Sequence, residues 1–134
     1  MRKITVMSAG NGGQALAGDL ALRGHAVTLY EHPKFAATVA AIRAKGDIIE
    51  LENKIVGAGR LARTTTDAAE ALRGAEIVYF TAPSFAQKAF FDLALPHFED
   101  GQVLVLSPGN YGTFGLKDAF RKLGKNVLVG ETDN

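Results

Sequence analysis

The sequence predicts an α/β domain built on a doubly wound parallel sheet, and three observations carry that reading. Lys3–Met7, Ala75–Phe80, Gln102–Leu106 and Asn126–Val129 are nearly all apolar rather than alternating, as strands read when helices cover both faces of a parallel sheet. Helix-forming segments separate most of these strands, which calls for right-handed crossovers. The first strand also passes at once into Ser8-Ala9-Gly10-Asn11-Gly12-Gly13 and then into a helix former, the order of strand, tight turn and helix N-terminus.

The remaining elements follow in order. Gly13–Arg23 reads as a helix with Ala15, Leu16, Leu20 and Leu22 on its buried side, ended by Gly24. Ala26–Tyr30 is a strand closed by Glu31-His32-Pro33. Phe35–Ala44 is a helix stopped by Lys45-Gly46. Ile48–Leu51 and Lys54–Val56 are short strands with a turn at Glu52-Asn53, and Arg60–Thr65 is a further strand. Asp67 caps a short helix, Ala68–Leu72, and Ser84 caps a helix that begins over Ser84–Phe91. Phe114–Leu123 is the last helix before Asn126–Val129.

Length and composition restrict the function. The 134 residues, 47% apolar and 22% charged, suit one soluble domain spanning residues 1–134. A formal net charge of +1 gives no reason to expect a nucleic acid or a membrane surface as partner. Cysteine is absent, which excludes disulfides and thiolate metal ligands and fits a reducing compartment. No signal peptide or membrane span is visible, so a cytoplasmic protein is the expectation. The last strand meets the end of the sequence at Glu131-Thr132-Asp133-Asn134, where a ligand crevice should lie, and this suggests a piece of a larger, two-domain protein.

The glycine turn carries the chemistry. Helix N-termini expose unpaired N–H groups and a partial positive charge, and so attract phosphate. Gly10 and Gly13 match the second and third glycines of the dinucleotide fingerprint of the Rossmann fold. Gly10 would let the backbone approach a pyrophosphate, and Gly13 would let the helix pack close to the sheet. Asn11 and Gly12 fill the turn, where positive φ is inexpensive. Ser8 stands where the first glycine is expected, so it needs a backbone conformation that a side chain permits, or a slightly shifted turn.

Glu31 lies 18 positions after Gly13, the distance of the acidic residue that accepts hydrogen bonds from the adenosine ribose. Its charge repels a 2′-phosphate and favours NAD, while His32 and Lys34 leave NADP possible. Thr81-Ala82-Pro83-Ser84 should lie across the crevice from the glycine turn. Ser107-Pro108-Gly109-Asn110-Tyr111-Gly112 offers backbone N–H groups and an amide to a nicotinamide or a substrate. His25, His32 and His97 read as surface or packing residues, and Glu131 and Asp133 sit at the correct end of the sheet without a defined role. No catalytic residue and no metal site is assigned.

Ser8-Ala9-Gly10-Asn11-Gly12-Gly13, Thr81-Ala82-Pro83, Ser107-Pro108-Gly109 and Gly130-Glu131-Thr132 fall in an order that resembles the amino-terminal cofactor domain of the opine dehydrogenases. Glycerol-3-phosphate dehydrogenase and ketopantoate reductase share the architecture and much of the glycine pattern, so the alternatives are the cofactor domain of another two-domain NAD(P)-dependent dehydrogenase, of hydroxy-acid, glycerol-3-phosphate or ketopantoate type, and a non-catalytic nucleotide-binding sensor module. The opine resemblance implies an oxidoreductase that condenses an amino acid with an α-keto acid, using NAD(P)H to reduce the imine, in a possible homo-oligomer. It implies cofactor contacts from Ser8, Gly10, Asn11, Gly12, Gly13 and Glu31, with further contacts from the loops of Ala82 and Pro83 and of Pro108 and Gly109. It places the catalytic His–Asp pair in a helical second domain.

Overall fold

The computed structural model describes residues 1–52, 56–107 and 113–132. Its strands are β1 (Lys3–Met7), β2 (Ala26–Tyr30), β3 (Ile48–Glu52), β4 (Val56–Arg60), β5 (Arg63–Thr65), β6 (Ile77–Phe80), β7 (Val103–Leu106) and β8 (Leu128–Glu131). Its α-helices are α1 (Asn11–Leu22), α2 (Ala36–Ala44), α3 (Ala68–Leu72), α4 (Gln87–Ala94) and α5 (Thr113–Lys122). Six strands make one sheet in the order β5-β2-β1-β6-β7-β8, and every pairing in it is parallel. The order reverses between β1 and β6. Ligands bind at such a switch point, beyond the carboxyl ends of the strands.

Alternation within each strand divides the core in two. Val6, Val27 and Leu29 pack with Ala17, Ile42, Ile49 and Leu61 on the side of α1 and α2. Met7, Tyr30, Val78, Phe80 and Leu104 pack with Leu72, Phe90, Phe91, Phe98 and Phe120 on the other side. Successive residues of one strand thus serve opposite layers, the reason these strands are apolar on both faces. The second layer is rich in aromatics, with Phe80 edge-on to Phe90 at 5.4 Å and Phe98 edge-on to Phe120 at 5.0 Å between ring centres, arrangements that suit the ring quadrupoles.

Several expectations need correction. β3 and β4 pair antiparallel as a separate hairpin, and the bounds expected for the strands Lys54–Val56 and Arg60–Thr65 are misplaced: β4 runs on from Val56 to Arg60, and only Arg63–Thr65 joins the main sheet. Lys54 and the turn residue Asn53 lie outside the described residues. The hairpin rests on α1, where a Cβ added to Gly59 would lie 2.2 Å from the Gly18 carbonyl oxygen. A Cβ on Gly18 would in turn lie 2.9 Å from Ile49 Cγ2, so glycine at both positions is a packing requirement. It also shifts the buried face of α1 to Gly13, Ala17 and Gly18, with Leu16 and Leu20 packed beside them, and leaves Ala15 and Leu22 exposed.

Smaller shifts occur at element ends. β8 runs two residues beyond the expected Val129, and the first helix begins at Asn11 rather than Gly13. A 3-10 turn, Pro33–Phe35, precedes α2. Another, Ser84–Ala86, precedes α4, so the N-cap position of this helix is Ala86 rather than the expected Ser84, whose side chain lies outside the described residues. Asp67 does cap α3, its Oδ1 accepting from the N–H groups of Ala69 and Glu70 at 3.0 and 3.3 Å. Gly24, at φ +92°, follows α1 as expected.

Candidate cofactor site

The chain leaves β1 and turns at Ser8, which has φ +96°. The turn has not shifted to avoid this conformation; the serine adopts it. Asn11 and Gly12, expected to absorb positive φ, instead form the first turn of α1, and neither has a positive φ. Gly10 is the N-cap, extended at φ −72° and ψ −176°, and among the described residues no side chain caps the helix. Gly10, Asn11 and Gly12 are exposed at this end of the helix.

Gly13 is buried against the turn. A Cβ there would lie 1.8 Å from the Ser8 carbonyl oxygen and 2.9 Å from Thr81 Oγ1, so any side chain would push α1 off the sheet. By contrast, among the described residues nothing stands within 4 Å of a Cβ on Gly12, and a Cβ on Gly10 would meet only Ser8 Oγ, at 3.8 Å. The outer side of the turn is therefore open where a pyrophosphate would approach, and the inner side is tightly closed. This fits a dinucleotide held by backbone N–H groups.

Glu31 follows β2, where its backbone N–H donates to the Thr65 carbonyl at 3.0 Å. Its side chain is only 6% exposed, unlike a solvated strand-end glutamate. One carboxylate oxygen accepts from the Ala9 N–H at 2.8 Å and the other from the His32 N–H at 2.8 Å. The acidic residue and the glycine turn are thus in direct contact. Across the switch point, Thr81 donates to the Met7 carbonyl through both its N–H and its hydroxyl, each at 3.1 Å. Ala82 is buried and Pro83 exposed beside it. Pro108 and Gly109, with residues 110–112 and Asp133, lie outside the described residues; Ser107 bonds back to the Phe80 carbonyl at 2.9 Å.

Sequence reasoning missed several residues. Gln14 donates from Nε2 to the Ala9 carbonyl at 2.8 Å; Thr81, expected only as part of the loop across the crevice, joins the two strands of the switch point. Phe85 stands 87% exposed just after Pro83. Solvent exposure of a phenylalanine has no sequence signal, but a hydrophobic residue directly after a proline loop at a strand end was available to notice. Tyr30, 1% exposed at the end of β2, has no hydrogen-bond partner for its hydroxyl among the described residues. Burial, then the charges of Glu31 and Asp67, push its phenol up to about 12.

The histidines behave as packing or surface groups. His25 Nδ1 accepts from the Arg2 N–H at 3.1 Å, away from the crevice. His32 Nδ1 accepts from the Lys34 N–H at 3.1 Å, and its ring lies edge-on to Phe90. His97 is exposed after α4. Among the described residues no group of three or more His, Asp or Glu side chains could hold a metal ion, and no helix is long and apolar enough to cross a membrane.

Known proteins similar to this chain include dehydrogenases. The opine dehydrogenase of Arthrobacter sp. (strain 1C) is 27% identical over 131 residues, covering 96% of this chain and 36% of that enzyme. The NAD(P)+ glycerol-3-phosphate dehydrogenase of Koribacter versatilis (strain Ellin345) is 36% identical over 106 residues, covering 78% of this chain and 31% of that enzyme. Octopine dehydrogenase solved with NADH and L-arginine superposes with a TM-score of 0.78 at 25% identity, over 96% of this chain and 34% of that one. The chain thus spans about a third of the length of these relatives. The family model for the NAD-dependent glycerol-3-phosphate dehydrogenase N-terminus matches residues 3–123. The family's cofactor is the one that an acidic residue at the end of β2 favours, and the chain belongs to this family of NAD-dependent dehydrogenase amino-terminal domains.

Proposed function

We propose that this chain is the NAD-binding part, residues 1–134, of a larger two-domain opine-type dehydrogenase. The observation that carries the cofactor reading is the contact between Glu31 and the glycine turn at the switch point of the sheet. In this reading the N–H groups at the start of α1 face the pyrophosphate, with Ser8 Oγ beside them, and α1 contributes its positive end. Glu31 uses its remaining lone pairs for the adenosine ribose hydroxyls. Ala82, Pro83 and the segment with Pro108 and Gly109 border the nicotinamide half, and Phe85 offers an apolar face at the crevice mouth. When bound, the nicotinamide ring supplies the hydride.

The substrates would be an amino acid and an α-keto acid, by analogy with octopine dehydrogenase, whose structures hold L-arginine or pyruvate. The opine reading is supported by coverage: the Arthrobacter enzyme aligns with 96% of the chain, the Koribacter enzyme with 78%. The higher identity of the latter, 36%, and the family match support a second reading, reduction of a keto-phosphate. Catalytic residues would come from a further domain in either case, in a protein of the cytoplasm.

Calorimetric titration tests the cofactor reading. NADH should bind, and more tightly than NADPH; no heat with either would overturn it. The full-length protein separates the two substrate readings. An opine enzyme oxidises NADH only when amino acid and keto acid are present together, whereas oxidation with dihydroxyacetone phosphate alone selects the second.

A further inference from the structure

Ala9 sits between the serine at φ +96° and the N-cap glycine of α1. It is 3% exposed, yet both of its backbone groups are held by side chains: its N–H by Glu31 Oε2 at 2.8 Å and its carbonyl by Gln14 Nε2 at 2.8 Å. The neighbouring backbone ties lie on either side, from the Ser8 N–H to the Tyr30 carbonyl at 2.8 Å and from the Gln14 N–H to the Gly10 carbonyl at 2.9 Å. The path of the turn therefore depends on two side chains 17 positions apart in sequence, one on α1 and one after β2.

We propose that Glu31 and Gln14 are positioning residues that clamp Ala9, set the direction of the N–H groups offered to the pyrophosphate, and so couple the ribose side of the site to the phosphate side. This rests on the cofactor reading given above. A carboxylate with both oxygens already accepting backbone N–H groups is fixed in place, so it presents its remaining lone pairs in one direction. The same carboxylate holds a turn that would otherwise relax from a strained conformation. A ligand group that displaces Glu31, such as a 2′-phosphate, would then loosen the phosphate turn as well as lose the ribose contact.

Two isosteric changes test the clamp. Glu31→Gln places an amide NH2 against one of the two N–H donors. Gln14→Glu places a carboxylate oxygen against the Ala9 carbonyl. Each variant is titrated with NADH and with an NADH analogue whose adenosine ribose lacks its 2′- and 3′-hydroxyls. We expect Gln14→Glu to weaken both ligands by the same factor, roughly tenfold, and Glu31→Gln to weaken the analogue about as much and NADH further, while speeding hydrogen exchange at the Ala9 amide without ligand. The proposal is overturned if the Glu31→Gln effect vanishes with the dideoxy analogue, if Gln14→Glu leaves both ligands unchanged, or if Ala9 exchange is unaltered. If Glu31→Gln does not fold, Gln14→Glu, on a half-exposed helix position, decides. Failure of the unsubstituted protein to bind NADH would overturn the cofactor reading, while Ala9 exchange would still judge the clamp.

Discussion

Ser8 occupies a backbone region that an L side chain rarely adopts, at a cost of about 1–3 kcal/mol. Replacing it with glycine removes that strain and adds freedom to the unfolded chain, worth about 0.5–1 kcal/mol in the opposite direction. Ser8→Gly should therefore raise stability by about 1 kcal/mol in urea unfolding. Tyr30 supplies a pH signature. Its phenol titrates at about 12 in the folded protein, above the ordinary value near 10. The folded state holds this proton more tightly, so its contribution is complete below pH 10 and disappears as pH rises through 12. Tyr30→Phe should remove that part of the alkaline loss. At neutral pH it should match or exceed the parent in stability, since the buried hydroxyl has no partner among the described residues.

At the scale of elements, the apolar strands and the glycine turn were legible because parallel strands and helix N-termini impose local composition. The stretch Val56-Gly57-Ala58-Gly59-Arg60 was not: two glycines in five residues argue against a strand. They occur there because α1 leaves no room for side chains, a tertiary requirement with no local signature. The inward turn of Glu31 was equally hidden. Its spacing from Gly13 identified the residue, but the bond to Ala9 spans 22 positions and no periodicity reports it. Gly59→Ala should expose the helix–hairpin contact directly. With 2.2 Å available, the added methyl must lift the hairpin from α1, and a loss of about 2–3 kcal/mol is expected by chemical denaturation, as for other overpacked contacts.

On the scale of the whole molecule, β1, β2 and β6 each contribute to both core layers, so neither layer can unfold alone. Leu29→Ala on one side and Phe120→Ala on the other should each cost about 2–5 kcal/mol, a large part of the 5–15 kcal/mol typical of a domain. Both should lower one and the same thermal transition, with calorimetric and van't Hoff enthalpies equal. Two separate transitions would show that the layers are independent. Function follows from the same arrangement: β1 and β6 diverge in connection, and the crevice between their carboxyl ends receives the glycine turn, Glu31 and Thr81 without any long loop to position them.

The β3–β4 hairpin also sets an order of events in time. Its partners are close in sequence, Ile48 opposite Arg60 and Glu52 opposite Val56, so its closure belongs to the microsecond class. The six-stranded sheet joins segments separated by whole crossovers, such as Ile4 beside Ile77, and pairings of that kind are slow because long loops must close first. The hairpin can then close, though only marginally stable alone, before the sheet that holds α1 in place has assembled. Its docking onto α1, through the Gly18–Gly59 contact, marks the moment at which a fast local event becomes committed to the slow global one.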